Sequence, residues 1–191
     1  HTIYNAMVMP RPVGWITTVS ADGDFNLAPY SFFNAVSGSP PCVIYCPNYF
    51  KPGTREAKDS LTNVEETGEF VYNMCTADLL EQMVRTSKHS PRNYDEMADA
   101  GLEAVPCVKV TPPRLKASPI AMECEYLQTI ELPSPQDGSR ATMILGRVVQ
   151  VHVADEFITE DGLIDAQNLR PVGRLGYYDY TIIEPENIFQ V

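Results

Sequence analysis

The sequence contains no apolar run that approaches the roughly 20 residues a membrane-spanning helix requires. Its first residues show no charged-then-apolar leader, so the expectation is a cytoplasmic protein without a membrane partner. Basic residues are scarce: 14 Lys and Arg stand against 25 Asp and Glu, for a net charge of −11. Nucleic acid is excluded as a partner on that balance, because phosphate neutralisation needs a basic face. A small anionic ligand would still need its own local positive charge. Histidine is scarcer still, at three residues: His1, His89 and His152. No GxSxG elbow occurs, no GxGxxG follows a strand, and no GxxxxGK[ST] loop exists, which removes the commonest hydrolase and nucleotide signatures. The five cysteines are an odd number and sit mostly inside apolar runs such as CVIYC and FVYNMC. They read as buried, reduced thiols. Cys42 and Cys46 lack a second Cys/His pair, so no metal site is expected.

What is present is ordinary globular material, 191 residues long and 44% hydrophobic, enough for one domain spanning residues 1–191. VGWITTVSADGDFNLA reads as strand, turn, strand, with either a tight Asp22-Gly23 turn or a longer ADGD loop. PPCVIYC (40–46) and EFVYNMC (69–75) read as strands. IAMECEYLQTIEL (120–132) and ATMILGRVVQVHVAD (141–155) read as long ones, joined by the hairpin residues SPQDGS. Between them lie a helix over 54–68, capped by Thr54 and stopped by Gly68, and a helix over 77–88 capped by Thr76. Residues 89–107 read as loop and short helix, and YTII as a last strand. Strands cluster as antiparallel hairpins and do not alternate with helices. The fold class is therefore mainly β with attached helices, a β-barrel and not a doubly wound sheet.

Catalytic sets are thin. His152 alternates with Val151 and Val153 in a strand, and His89 lies in the loop-like SKHSPRN. Acid pairs among 25 carboxylates carry no signal; Asp59, Glu65 and Glu66 read as a solvated helix face. An enzyme without an acid–base set can rely on a cofactor. NLAPYSFFNAV (26–36) suits that idea, being apolar yet interrupted by Pro29, Ser31 and Asn34. Pro29 would break a ladder there, leaving backbone N–H groups free for a ligand edge. Ser31 and Asn34 would add donors, and Phe32 or Phe33 an apolar wall. For an anionic group the candidates are Arg11 in MPRPVGW and Lys58, with Ser60 and Asn63 nearby. Taken alone, Lys58 reads as a surface helix lysine.

Taken in order, RPVGWITTVSADG, NLAPYSFFNAVSGSPP, AKDSLTN, TGEFVYN and RLGYYDY resemble the flavin reductase-like proteins of the FMN-binding split-barrel fold, over about residues 8–182. That resemblance implies an antiparallel split β-barrel, a homodimer, and FMN at or near the subunit interface. It implies that residues 26–37 line the flavin ring, with Pro29, Tyr30, Ser31 and Phe32 at its polar edge. It also implies that Arg11, Thr17, Lys58, Asp59 and Ser60 serve the phosphate and ribityl chain, with Asn34, Ser37 and Asn63 as further candidates. Gly146 to His152 and Leu175 to Tyr178 resemble segments that flank the cofactor in some members.

The implied reaction passes hydride from NADH or NADPH to flavin N5, with no catalytic protein residue required. The reduced flavin could feed a partner monooxygenase. The alternative is a non-enzymatic, flavoredoxin-like FMN protein that carries electrons between partners. A third reading is a plain β-barrel whose aromatic run is only core.

Overall fold

The computed structural model describes residues 3–134 and 138–189. Helix α1 (Ile3–Met7) and the two-residue strand β1 (Arg11–Pro12) lead into four successive strands: β2 (Gly14–Val19), β3 (Phe25–Tyr30), β4 (Phe33–Gly38) and β5 (Pro41–Tyr45). Helix α2 (Asp59–Thr67) and strand β6 (Glu69–Asn73) follow, then helices α3 (Leu80–Arg85) and α4 (Glu96–Asp99). The short strands β7 (Ala104–Val105) and β8 (Arg114–Leu115) pair with each other. The long hairpin strands β9 (Ile120–Glu131) and β10 (Thr142–Val153) come next. Helix α5 (Ala166–Leu169) precedes β11 (Val172–Arg174) and β12 (Tyr180–Ile182).

Seven strands form one antiparallel sheet in the order β3-β2-β6-β9-β10-β5-β4, while β1, β11 and β12 form a second, three-stranded sheet. The edge strands β3 and β4 are consecutive in sequence, joined by Ser31 and Phe32 alone. The large sheet must therefore curl until its two edges meet at that corner, which is the expected mainly β, split-barrel architecture.

Gly14 shows how tight the closure is. A Cβ there would lie 2.5 Å from the Phe33 ring, so only glycine lets β2 approach the start of β4. Phe33 in turn stacks on Tyr72 with centroids 4.6 Å apart, inside a cluster with Ile16, Val43, Tyr45 and Phe70. A second cluster, built on Trp15, Leu27, Met83, Met97, Leu115 and Val172, lies on the other side of β2. Every residue of β2 is buried because both of its faces are covered.

Several expectations need correction. Residues 26–36 are not irregular: they are most of β3, a two-residue corner and the first part of β4. Pro29 sits within a strand because that strand is an edge. The Leu27 N–H points away from β2, onto Glu96 Oε2 at 3.3 Å, and two residues on the missing Pro29 N–H would face the same way. No ladder bond is lost. The helix expected over 54–68 begins only at Asp59, although Gly68 ends it in the left-handed conformation at φ 77°. Thr54 shapes a turn instead, donating to the Lys51 carbonyl at 3.0 Å. The helix expected over 77–88 is a 3₁₀ turn (Ala77–Leu79) followed by α3, and Thr76 makes no side-chain cap. The hairpin after β2 takes the longer loop, with Ser20 N–H donating to the Asp24 carbonyl at 2.9 Å. Of the SPQDGS turn, residues 135–137 lie outside the described residues, but the flanking strands pair as an antiparallel hairpin. All five cysteines are free thiols; Cys42, Cys75 and Cys124 are buried, Cys46 and Cys107 half-buried.

Candidate functional site

The outer edge of β3 floors two adjoining hollows. The first is narrow, walled by Asn26 and Tyr30 from β3, Lys51 from the loop after β5, Lys58 and Asp59 at the start of α2, and Lys88, His89 and Glu96 opposite. The second is wide, about 680 Å³, with a mostly apolar wall from Val13, Leu80, Met83, Val84 and Tyr180. Pro29, Ser87 and His89 border both, so the two form one continuous cleft. The segment carrying Ser87 to His89 is fixed from beneath: buried Thr86 accepts a 2.9 Å hydrogen bond from Trp15 Nε1 and donates to the Met83 carbonyl.

The narrow end is rich in cations, and they are partly buried. Lys51 is buried and its Nζ lies 2.8 Å from Asp59 Oδ1. Lys58 is half-buried, and its ammonium is held below the usual lysine range by burial and then by Lys51, with Asp59 opposing. His89 is likewise lowered by desolvation, then by Lys58 and Lys51. An anion placed among these groups relieves their mutual repulsion. Two acids share the end: Asp59, engaged by Lys51, and Glu96, buried on α4, which desolvation pushes up to about 7. At the far end, the Arg174 guanidinium donates to the Tyr180 hydroxyl and the Tyr177 carbonyl and stacks over the Tyr180 ring.

The structure gathers some of the expected residues and scatters others. Pro29, Tyr30, Lys58 and Asp59 line the narrow end, and Pro29 and Ser31 line the wide one. Ser60 is fully buried behind them, hydrogen-bonded to the Tyr30 hydroxyl, whose ionisation burial pushes up. Thr17 and Asn63 lie in the interior: Thr17 Oγ1 accepts from Asn73 at 2.9 Å, and Asn63 Nδ2 donates to Thr18 at 3.1 Å. Arg11 lies outside the cleft. Its guanidinium donates to the carbonyls of Asn5, Val8 and Leu175 and sits over the Phe32 ring, tying α1 to the tail. Asn34 and Ser37 are exposed on β4.

Sequence reasoning gives no role to Lys51, Lys88 and Glu96, meets Arg174 only within the RLGYYDY stretch, and places His89 in a loop. Only the cluster of Lys88 and His89 within SKHS offered a local signal. The others reach the cleft through long-range packing.

A separate group of ligand-type side chains, Cys107, Glu123 and His152, converges outside the cleft. Glu123 is fully buried and accepts backbone N–H groups from Val108, Lys109 and Val110, while His152 Nε2 stands 2.5 Å from Oε1. Both carboxylate oxygens are thus engaged, and the group clamps residues 107–110 to β9. Among the described residues no helix is long and apolar enough to cross a membrane.

The cleft accepts a ligand with one anionic end and a flat, apolar body: cations at the narrow end, an apolar wall at the wide end, and an edge strand between. Comparison with known proteins sharpens this. The family model described as "Flavin reductase like domain" matches residues 6–178. Nitrilotriacetate monooxygenase component B from Bacillus cereus is similar over 99% of this chain and 91% of its own, at 31% identity and a TM-score of 0.90. The 2-nitrobenzoate 2-nitroreductase of Pseudomonas fluorescens is similar over 94% of this chain and 84% of its own, at 28% identity and a TM-score of 0.81. A protein of Aquifex aeolicus is 33% identical over 174 residues, 90% of this chain and 85% of that relative.

Proposed function

Because the chain belongs to the flavin reductase-like domain family, we propose that the cleft beside β3 binds FMN and that the protein is an NAD(P)H-dependent flavin oxidoreductase. The observation that carries this reading is the continuity of a cation-lined narrow end with a wide apolar hollow along one edge strand. The donor set suits the group: ammonium and imidazole for the phosphate, an apolar basin for the ring. Bound FMN would supply the redox chemistry, accepting hydride at N5 from NADH or NADPH.

The chain's own residues bind and orient. Lys58, with Lys88 and His89, takes the phosphate end; Lys51 holds Asp59 and adds positive field. Tyr30 and Ser60 brace the wall between β3 and α2. Thr17 and Asn63 act from behind, fixing β2 against β6 and α2. Pro29, Ser31 and the corner at Phe32 form the floor under the ring, and Arg11 holds that corner through the Phe32 face. Among the described residues no carboxylate lines the wide hollow. Asn34 and Ser37 face outward on the β4 edge, beside half-exposed Val36. They serve the flavin through a second copy of the chain covering that edge, in a homodimer. The likeness to a monooxygenase component supports a role in supplying electrons to a separate oxygenase.

The test is anaerobic addition of NADH or NADPH to the FMN-loaded protein. Bleaching of the flavin absorbance by either nucleotide is expected. A flavin that only dithionite reduces would overturn the reductase reading in favour of an electron carrier.

A further inference from the structure

Glu96 is the one acid on the far wall of a cation-lined cleft, and the reaction outlined above gives it no task. It is 8% exposed, so its carboxyl is sealed between the two sides of the narrow end. Its Oε2 is fixed by the outward N–H of Leu27 on the edge of β3. The titratable groups that face it can be named element by element. β3 presents the Tyr30 phenol, and the loop after β5 presents Lys51. α2 presents Lys58 and Asp59, and the segment after α3 presents Lys88 and His89, with the Ser90 hydroxyl donating to Glu96. On its outer side a second hollow adds Arg85, Tyr94 and Asp99.

Among the described residues no cation forms a direct ion pair with Glu96. Lys51 and Arg92 are engaged by Asp59, and Arg85 by Asp99. A ligand anion entering the narrow end therefore meets an acid that no cation neutralises locally. The cheapest response for a buried carboxyl beside an incoming anion is to take a proton. We propose that Glu96 picks up a proton from solvent when an anion occupies the narrow end, making ligand binding at this site proton-linked. The inference rests on the reading of this end as the flavin phosphate site.

Burial already holds the Glu96 carboxyl near neutrality, at about 7, before any ligand arrives. The sign follows. An anion raises this value further, so the bound state holds more protons than the free state. Binding is strongest below the free value and weakens as pH rises through it. His89 is shifted the other way, below its ordinary value, and the same anion would raise it, so its own proton uptake is removed with His89→Gln. The second phosphate ionisation, near about 6, is also complete there.

The experiment is titration with FMN and with riboflavin, which lacks the phosphate, from about pH 7 to about pH 8.5, for wild-type protein, His89→Gln and the double variant Glu96→Gln/His89→Gln. Calorimetry in two buffers of different ionisation heat counts the protons taken up. Gln keeps an oxygen for the Leu27 N–H but cannot gain charge or lose it. For wild type the expected result is FMN affinity falling by roughly five- to tenfold across the range, with net proton uptake. Riboflavin binding should be flat in wild type, which tests the idea without any variant. In His89→Gln most of that fall and uptake should remain; in Glu96→Gln/His89→Gln, FMN affinity should vary by less than about twofold and uptake should vanish. FMN binding without proton uptake, uptake that is lost in His89→Gln alone, or uptake that persists in Glu96→Gln/His89→Gln overturns the role of Glu96 and leaves the flavin site standing. Failure of both flavins to bind at any pH overturns both.

Discussion

Lys58 is where the residue scale decides most. By sequence it is one lysine at a helix start; in the fold its half-buried ammonium borders the cleft, and among the described residues no carboxylate pairs with it directly. Lys51, deeper in the wall, is already committed to Asp59. The two lysines should therefore behave differently. Lys58→Ala removes one charge-assisted contact and is expected to weaken FMN binding by about 1–3 kcal/mol with little change in thermal stability. Fluorescence titration of the variant checks this; unchanged affinity would remove Lys58 from the site. The paired phenylalanines part ways at the same scale. Phe33 is core, stacked on Tyr72, while Phe32 is a half-buried corner residue beneath Arg11. Nothing in the local sequence separates them, because which one turns inward depends on where the sheet curls.

At the scale of elements, strand periodicity was well represented in the sequence. The long β9 and β10 and the short β5 and β6 fall where alternating or continuous apolar runs lie. The β3–β4 segment was misjudged because Pro is forbidden only where a ladder needs its donor, and edge position is a property of the whole sheet. The start of α2 was misplaced for a local reason: Thr54, a good cap residue, is spent on the Lys51 carbonyl in a preceding turn. The closure of β2 on β4 makes its own prediction. A Cβ on residue 14 would fall 2.5 Å from Phe33 Cδ2, and the ring is hemmed in by Tyr72. Gly14→Ala is expected to destabilise the fold by about 1–3 kcal/mol, the usual scale of overpacking. Urea unfolding measures it, and a stability equal to wild type would show that the corner has room to shift.

The whole molecule explains why the cleft was only half legible. Its floor comes from one sequence stretch, which is why the family resemblance found Pro29, Tyr30, Ser31 and Lys58. The rest of its lining comes from residue 51, residues 80–96 and residues 174–180, brought to β3 by the curled sheet, by the Trp15–Thr86 hydrogen bond and by the small three-stranded sheet. Those placements depend on contacts between distant segments, and no local spacing encodes them. The account stands on that assembled cleft being the flavin site. A crystal structure of the protein with FMN tests it most directly. The phosphate is expected within hydrogen-bond reach of Lys58 Nζ and the ring in the hollow floored by Pro29 and Ser31. Flavin bound elsewhere, or a protein that takes up none, would contradict it.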